Sequence, residues 1–367
     1  MIFFEQYVSN TLAGSGNQSF FVNSDSAKIR KSRTCYKVFC EGEYNYSFLF
    51  TNIIDSTFAD GSFSYRNKVI DSWKIHEINV GITDFCDEMS VKEPQLWHKV
   101  TFDSRRDKTV NPGEFFNTDR IRLSVKEGEY ICIEIVFSGE MIPYHEESII
   151  PSFVYEDGEW ILSRLHPFPS MIGCDREVAA RIAFLGDSIT QGVGTEINSY
   201  THWNNIVAEN IGTDYAYWNL GLGYGRADDA ATDGAWLFKA KQSDIIVVCY
   251  GVNDIMREYS EDSIKNNLNT IVDKLKAYGK KVIIQTIPPF DYQNEKITIW
   301  NNVNTYIKEE LSKKTEFVFD CAEILALDKN RPHMAKYGGH PNAEGCKIWG
   351  DRFSKELAKN ISNLNII

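Results

Sequence analysis

Four short stretches in the second half of the chain carry residue types that could perform hydrolytic chemistry. Ser188 lies in Gly186-Asp187-Ser188-Ile189-Thr190, directly after the apolar run 181–185. A small residue at the end of a strand lets the chain turn sharply and present a serine hydroxyl at the mouth of the next helix. Backbone N–H groups at such a point can donate to a developing oxyanion. Taken alone, the same tripeptide also reads as a helix N-cap, which Asp and Ser both favour. Next comes Asn219-Leu220-Gly221-Leu222-Gly223-Tyr224-Gly225-Arg226, with glycines at alternate positions. They suit close backbone approach to a ligand, or a tight strand-to-helix turn. A phosphate loop fits poorly, because no Lys-Ser/Thr pair follows. In Gly251-Val252-Asn253-Asp254, the Asn253 amide can donate to an oxyanion, or the pair can simply bond its own turn. Finally, in Gly338-Gly339-His340-Pro341-Asn342-Ala343-Glu344-Gly345, the proline holds His340 at the start of a helix; a lone surface histidine is the plain alternative. Each stretch alone has a structural explanation. Together, in this order, they supply what a serine nucleophile, an oxyanion hole and a general base require.

The elements that must position these residues follow from the hydrophobic pattern. Beyond about residue 175, apolar runs at 181–185, 215–220, 244–250, 281–287 and 317–319 alternate with helical patterns at 199–211, 226–239, 260–278 and 294–312. A last helical pattern runs over 342–361. Near-continuous apolar strands alternating with helices predict a parallel sheet covered on both faces, a three-layer α/β domain with its site at the carboxyl ends of the strands. From 34 to 162 the pattern is different. Short runs such as 36–39, 44–50, 72–78 and 120–125 alternate apolar and polar residues, and Gly42, Gly61, Gly113, Gly128 and Gly158 punctuate them. That is the pattern of half-buried strands in an antiparallel sandwich, here of the jelly-roll kind. Residues 163–174, with Pro167, Pro169 and Gly173, read as a connector. The expected division is 1–170 for the sandwich and 171–367 for the α/β domain.

Composition sets the outer limits. The chain has 367 residues, 43% hydrophobic and 25% charged, enough for two packed domains. A formal charge of -12 repels phosphate backbones and anionic lipid, so nucleic-acid and membrane partners are not expected. A neutral substrate suits it best, and a homo-oligomer stays open. Eight cysteines without a CxxC pair are expected to be buried reduced thiols. The start MIFFEQYVSN has no basic segment followed by a long apolar stretch, and no run reaches the ~18 apolar residues of a membrane span. A cytoplasmic protein is therefore the default expectation.

Over roughly 180–362 the sequence resembles the SGNH hydrolases, also called the GDSL esterase/lipase family. The resemblance rests on GDSIT at 186–190, the glycine block at 219–226, GVND at 251–254 and HPNAEG at 340–345. It implies a flavodoxin-like α/β/α fold, Ser188 as nucleophile and His340 as general base. It also implies an oxyanion hole of Ser188 N–H, a glycine N–H and the Asn253 side chain, with no metal and no organic cofactor. The glycine block is one residue shorter than in related sugar esterases, so Gly223 is the preferred donor, with Gly221 and Gly225 left open. The family places Asp three residues before the histidine; here that residue is Tyr337. Either the imidazole works as a Ser-His dyad, or Asp320 or Asp328 supplies the third member. Asp187 and Asp254 are supporting candidates.

The N-terminal half is similar to the jelly-roll module of two-domain bacterial carbohydrate esterases at Phe102-Asp103, Asn111-Pro112-Gly113, Asp119, Leu123 and Gly128. That architecture implies short acyl groups, acetyl above all, on sugar hydroxyls. Tyr224, Trp300 and His333 are candidates to stack on or bond to the sugar. A lipid- or thioester-directed hydrolase and a non-catalytic carbohydrate-binding protein are the alternatives.

Overall fold

A computed structural model of the chain describes residues 2–12, 16–55, 66–87, 89–145, 149–362 and 364, so Gly61 lies outside the described residues. The chain divides into two compact units. One comprises Met1–Glu177 with the short segments Ile197–Ser199 and Ala216–Trp218; the other comprises Val178–Glu196, Tyr200–Tyr215 and Asn219–Ile367.

The first unit is built from antiparallel strands in two main sheets. The larger runs Glu159–Leu162, Ser152–Glu156, Arg30–Lys37, Tyr130–Ser138, Trp73–Thr83, Trp97–Val100, with Lys108–Val110 also on Trp73–Thr83. The smaller runs Val8–Ser9, Met171–Cys174, Gly42–Thr51, Phe115–Asn117, with Ile121–Val125 also on Gly42–Thr51. Along Ile121–Val125, Leu123 and Val125 turn inward while Arg122 and Ser124 are exposed, the period-two burial that the sequence shows. Two expectations need correction. Residues 163–174 are not only a connector, because Met171–Cys174 pairs with Leu49–Tyr46 as an inner strand. All four of its residues are buried, and the first unit therefore runs to Glu177 rather than 170. Nor are all cysteines free. Tyr130–Ser138 lies against Arg30–Lys37 with Cys132 opposite Cys35, and the two form a disulfide. The other six are free. Strand register joins residues 97 apart in sequence, which no local spacing rule can foresee.

The second unit carries a five-stranded sheet in the order Tyr215–Gly221, Ala180–Gly186, Ile245–Cys249, Lys281–Gln285, Phe317–Phe319. Ala180–Gly186, Ile245–Cys249, Lys281–Gln285 and Phe317–Phe319 pair in parallel. Ile245 to Cys249 are buried without alternation, as are Ile182 to Leu185 and Val282 to Ile284, so neither face of these strands meets water. Helices Trp203–Ile211, Glu261–Ala277, Glu295–Glu309 and Ala343–Ile361 match the helical patterns. The pattern 226–239, by contrast, is broken into Ala227–Ala230 and Ala235–Ala240 around Gly234, which caps the second piece in an extended conformation. The last helix is pinned by Trp349. Its ring stacks on Trp203 at 4.6 Å, and its indole N–H donates to Gln285 Oε1 at 2.8 Å. Among the described residues, no helix is long and apolar enough to cross a membrane.

Candidate active site

Strand Ala180–Gly186 ends where the chain has no room for a side chain. A Cβ on Gly186 would lie 2.6 Å from the Cys249 carbonyl and closer still to Thr190. Asp187 then caps the short helix Ser188–Gln191, its carboxylate accepting from Ile189 N–H at 3.0 Å. The N-cap is thus Asp187, and the candidate nucleophile Ser188 is the residue after it. Ser188 is buried yet keeps its hydroxyl on one side of a hydrogen bond, with Oγ 2.9 Å from His340 Nε2.

The imidazole arrives on the loop before the last helix. Asn342 caps that helix through Gly345 N–H at 3.0 Å, and Pro341 precedes it. Two positions outside the sequence motifs stand against His340, one on its ring and one on its backbone. Phe290 meets the ring edge to face, with centroids 5.4 Å apart. Gly194, at φ +100, lies against the loop so closely that a Cβ would stand 2.9 Å from the His340 carbonyl. Phe290 follows Pro288-Pro289 beyond the carboxyl end of strand Lys281–Gln285, which was the available signal for it. Burial pushes His340 below its ordinary pKa, with no acid counteracting it.

His340 Nδ1 makes no hydrogen bond to any described residue. Tyr337 packs its Cβ against Gly345 and its ring beneath the Lys336 ammonium. Both candidate acids are engaged elsewhere. Asp320 accepts from Thr286 Oγ1 at 2.9 Å, Lys308 Nζ at 3.1 Å and Glu323 N–H at 3.2 Å. Asp328 is held by Arg331 through Nη2 at 2.7 Å and Nε at 3.0 Å.

The glycine block sorts its donors. Gly221 N–H donates to Asn219 Oδ1 at 2.8 Å, and Gly225 N–H to the Leu222 carbonyl at 3.0 Å. Both are used inside the turn. The N–H groups of Gly223 and Ser188 find no acceptor among the described residues, which leaves them able to meet a ligand oxygen. Leu222 N–H bonds the Gly186 carbonyl at 3.1 Å and so ties the block to the serine turn. Asn253 Nδ2 donates to the Gly225 carbonyl at 3.0 Å; an amide has a second N–H to offer. The three candidate donors are therefore linked to one another before any substrate arrives.

Beneath them lie two buried carboxyls. Burial pushes Asp187 up to about 7, against the hydrogen bond from Ile189 and with a further push from the charge of Asp254. Burial likewise pushes Asp254 up to about 7, against its bonds from Ala227 and Asp228 N–H. Asp254 thereby anchors the helix that follows the glycine block, with Ala227 N–H at 3.0 Å.

Of the three sugar-contact candidates, Tyr224 stands half-buried between Gly223 and Gly225, at φ +58. His333 is half-buried in the hairpin Ala326–Asp328 with Arg331–Ala335, an element the sequence pattern did not suggest. Trp300 is a correction. It is 4% exposed, its indole N–H donates to the Ile287 carbonyl at 2.8 Å, and it packs on Tyr292. Its size and its place on a helix beyond a strand suggested a platform; the inward face of helix Glu295–Glu309 made it core. Among the described residues, no group of three His, Cys, Asp or Glu side chains is placed to hold a metal ion.

The family described as GDSL-like lipase/acylhydrolase matches residues 184–348. No curated protein matches the chain. Among solved structures, a G-D-S-L family lipolytic protein from Desulfitobacterium hafniense is similar at 21% identity, over 48% of this chain and 98% of that one, with a TM-score of 0.40. A carbohydrate esterase of family 3 from Talaromyces cellulolyticus is similar at 20% identity, over 50% and 99%, with a TM-score of 0.38. A carbohydrate acetylesterase from Sinorhizobium meliloti is similar at 15% identity, over 49% and 98%, also with a TM-score of 0.38. The stretch 184–348, which contains Ser188, the glycine block, Asn253 and His340, is thus the part of the chain that is similar to the GDSL-like lipase/acylhydrolase family.

Proposed function

We propose that the chain is a serine esterase that removes short acyl groups, acetyl above all, from carbohydrate hydroxyls. The observation that carries the proposal is the 2.9 Å approach of Ser188 Oγ to His340 Nε2, with two candidate backbone N–H donors that have no acceptor among the described residues. The proposed framework is a three-layer α/β/α domain preceded by a jelly-roll module. His340 takes the Ser188 proton as Oγ bonds to the ester carbonyl carbon. The resulting oxyanion is met by Ser188 N–H, Gly223 N–H and the free Asn253 N–H. The tetrahedral intermediate collapses, the C–O bond to the alcohol breaks, and His340 returns the proton to the departing oxygen. Water then attacks the acyl-serine by the same route and releases the acid.

With no carboxylate on Nδ1 among the described residues, the base works as a dyad, its ring packed on Phe290 and its backbone held by the Gly194 contact rather than by an acid. A triad acid orients and stabilises the imidazole without taking its proton, so packing can substitute for part of that role. The test is a panel of nitrophenyl esters of increasing chain length together with acetylated xylo- and manno-oligosaccharides. Activity confined to acetyl and similarly short groups is expected. Rates that climb with chain length would point to a lipid- or thioester-directed enzyme, and saturable glycan binding without ester turnover would point to a binding protein.

A further inference from the structure

A cavity of about 820 Å³ opens in the second unit between the turn after helix Val252–Met256 and the loop before helix Glu295–Glu309. Its place relative to the chemistry follows from the chain. Met256, on its wall, is three residues beyond Asn253 on one helix, a rise of about 4.5 Å. Asp291, on another wall, directly follows the Phe290 that supports His340. Tyr292, also lining it, is 1% exposed, and its ring centroid lies 6.4 Å from that of the same Phe290. The cavity is thus walled by residues one helical turn beyond Asn253 and directly beyond Phe290.

We propose that this cavity is the subsite for the alcohol half of the ester, and that its occupant is a neutral, polyhydroxylated chain such as an oligosaccharide. This rests on the esterase reading given above. The lining is mixed: Ile255, Met256 and Ile299 are apolar and Tyr259 and Tyr292 aromatic, while Gln293 and Asn294 bring side-chain amides that bond no described residue. Free amides pair with hydroxyls, each able to donate and accept. The lone cation of the lining is engaged: Lys296 donates to the Met256 carbonyl at 3.2 Å and pairs with Glu258 at 3.7 Å; of the other acids, Asp291 accepts from Ala335 N–H at 2.9 Å, and Glu295 pairs with no described residue. No unspent cation is left among the lining residues to hold a phosphate or carboxylate. The size lies within the range of pockets that enclose drug-sized ligands, so more than one sugar ring can enter. Glu258, Asp291 and Asn294 all hold positive φ (+64, +53 and +53), conformations that non-glycine residues adopt at a cost and that gather at ligand clamps.

The test compares wild type with two variants: a double Gln293→Ala/Asn294→Gly change, which strips the amides and relieves the strained φ, and Met256→Trp, which fills the cavity from its apolar side. The readout is the ratio of kcat/KM for an acetylated xylo-oligosaccharide to kcat/KM for p-nitrophenyl acetate. A second readout is the Kd of the deacetylated oligosaccharide for each variant combined with Ser188→Ala. The ratio is expected to fall about tenfold in the double variant, carried by KM, and the Kd to rise in parallel. Met256→Trp is expected to lower the ratio further. An unchanged ratio in both variants, with the oligosaccharide still turned over through Ser188, overturns the subsite and leaves the esterase standing. Ester turnover indifferent to Ser188→Ala overturns the esterase reading instead. In that case the binding arm decides alone: Kd weakened by both variants upholds the cavity as a glycan site, and Kd unaffected by either removes it.

Discussion

Two polar clusters, one in each unit, leave their hydrogen-bonding groups in opposite states. In the first, a buried arginine has its donors matched. Arg33 donates through Nε to Glu134 at 3.0 Å and pairs through Nη1 with Glu93 at 2.8 Å, and its guanidinium lies 4.4 Å from the Trp160 ring and 5.2 Å from Trp97. Glu134 in turn takes Lys31 at 2.7 Å. In the second unit, the groups that matter are left incomplete: Ser188 N–H, Gly223 N–H and His340 Nδ1 lack partners among the described residues. A satisfied network specifies a fold, whereas unspent hydrogen-bond capacity at a buried turn costs stability and is kept where a ligand can use it. The lesson is that the richest cluster of charge and aromatic rings is structural here, and the sparser cluster is the one fit for chemistry.

That contrast can be broken or sharpened in order of expected effect. Ser188→Ala should lower kcat on an acetyl ester by about ten-thousand-fold, with the melting curve little changed. If the variant keeps wild-type turnover, the second unit is not catalytic at this serine. Arg33→Met should do the reverse, costing about 3 kcal/mol in urea unfolding because it leaves buried Glu134 short of a partner. Acetyl-ester kcat should be preserved in that variant; a drop in kcat without loss of stability would mean the first unit takes part in the chemistry.

Asn253→Ala should cost about 100-fold in kcat, the effect of one missing oxyanion donor, and the deficit should appear in kcat more than in KM. The pH profile is a finer probe. Burial lowers the pKa of His340, so the neutral imidazole that accepts the Ser188 proton persists below the ordinary value of 6.5. The acidic limb of kcat/KM should therefore lie under pH 6.5, and a limb above 6.5 would indicate an acid partner on Nδ1. Stability has the same sign: a histidine kept neutral by burial costs stability as pH falls below its unfolded pKa. The smallest effects are expected from Asp320→Asn and Asp328→Asn, whose acetyl-ester kcat should stay near wild type. A large loss in either would expose a third catalytic member and overturn the dyad.

Much of the site was legible beforehand because its parts are local. Gly186-Asp187-Ser188, Asn253 and His340 each sit at a turn whose residue types are dictated by a strand end or a helix cap, and such constraints are written in neighbouring positions. The parallel strands were legible for the same reason, since unbroken burial leaves an unbroken apolar run. What failed to show was whatever depends on distant partners. Trp300 looked available and is core because of the side of its helix that faces inward. Cys35 and Cys132 looked unrelated and are opposite each other by register.

By itself, then, the sequence determined the order of the elements, the turn that carries Ser188, the loop that carries His340 and the identity of the candidate donors. Only the tertiary structure decided which glycine keeps its N–H free, because that depends on Asn219 and Leu222 occupying the other two. It also decided that Phe290 and Gly194, rather than an acid at position 337, stand against the His340 loop. The physical reason is the range of the forces involved. Caps, turns and strand periodicity act over a few residues, whereas packing and hydrogen-bond satisfaction are settled between side chains that meet only after the chain has folded.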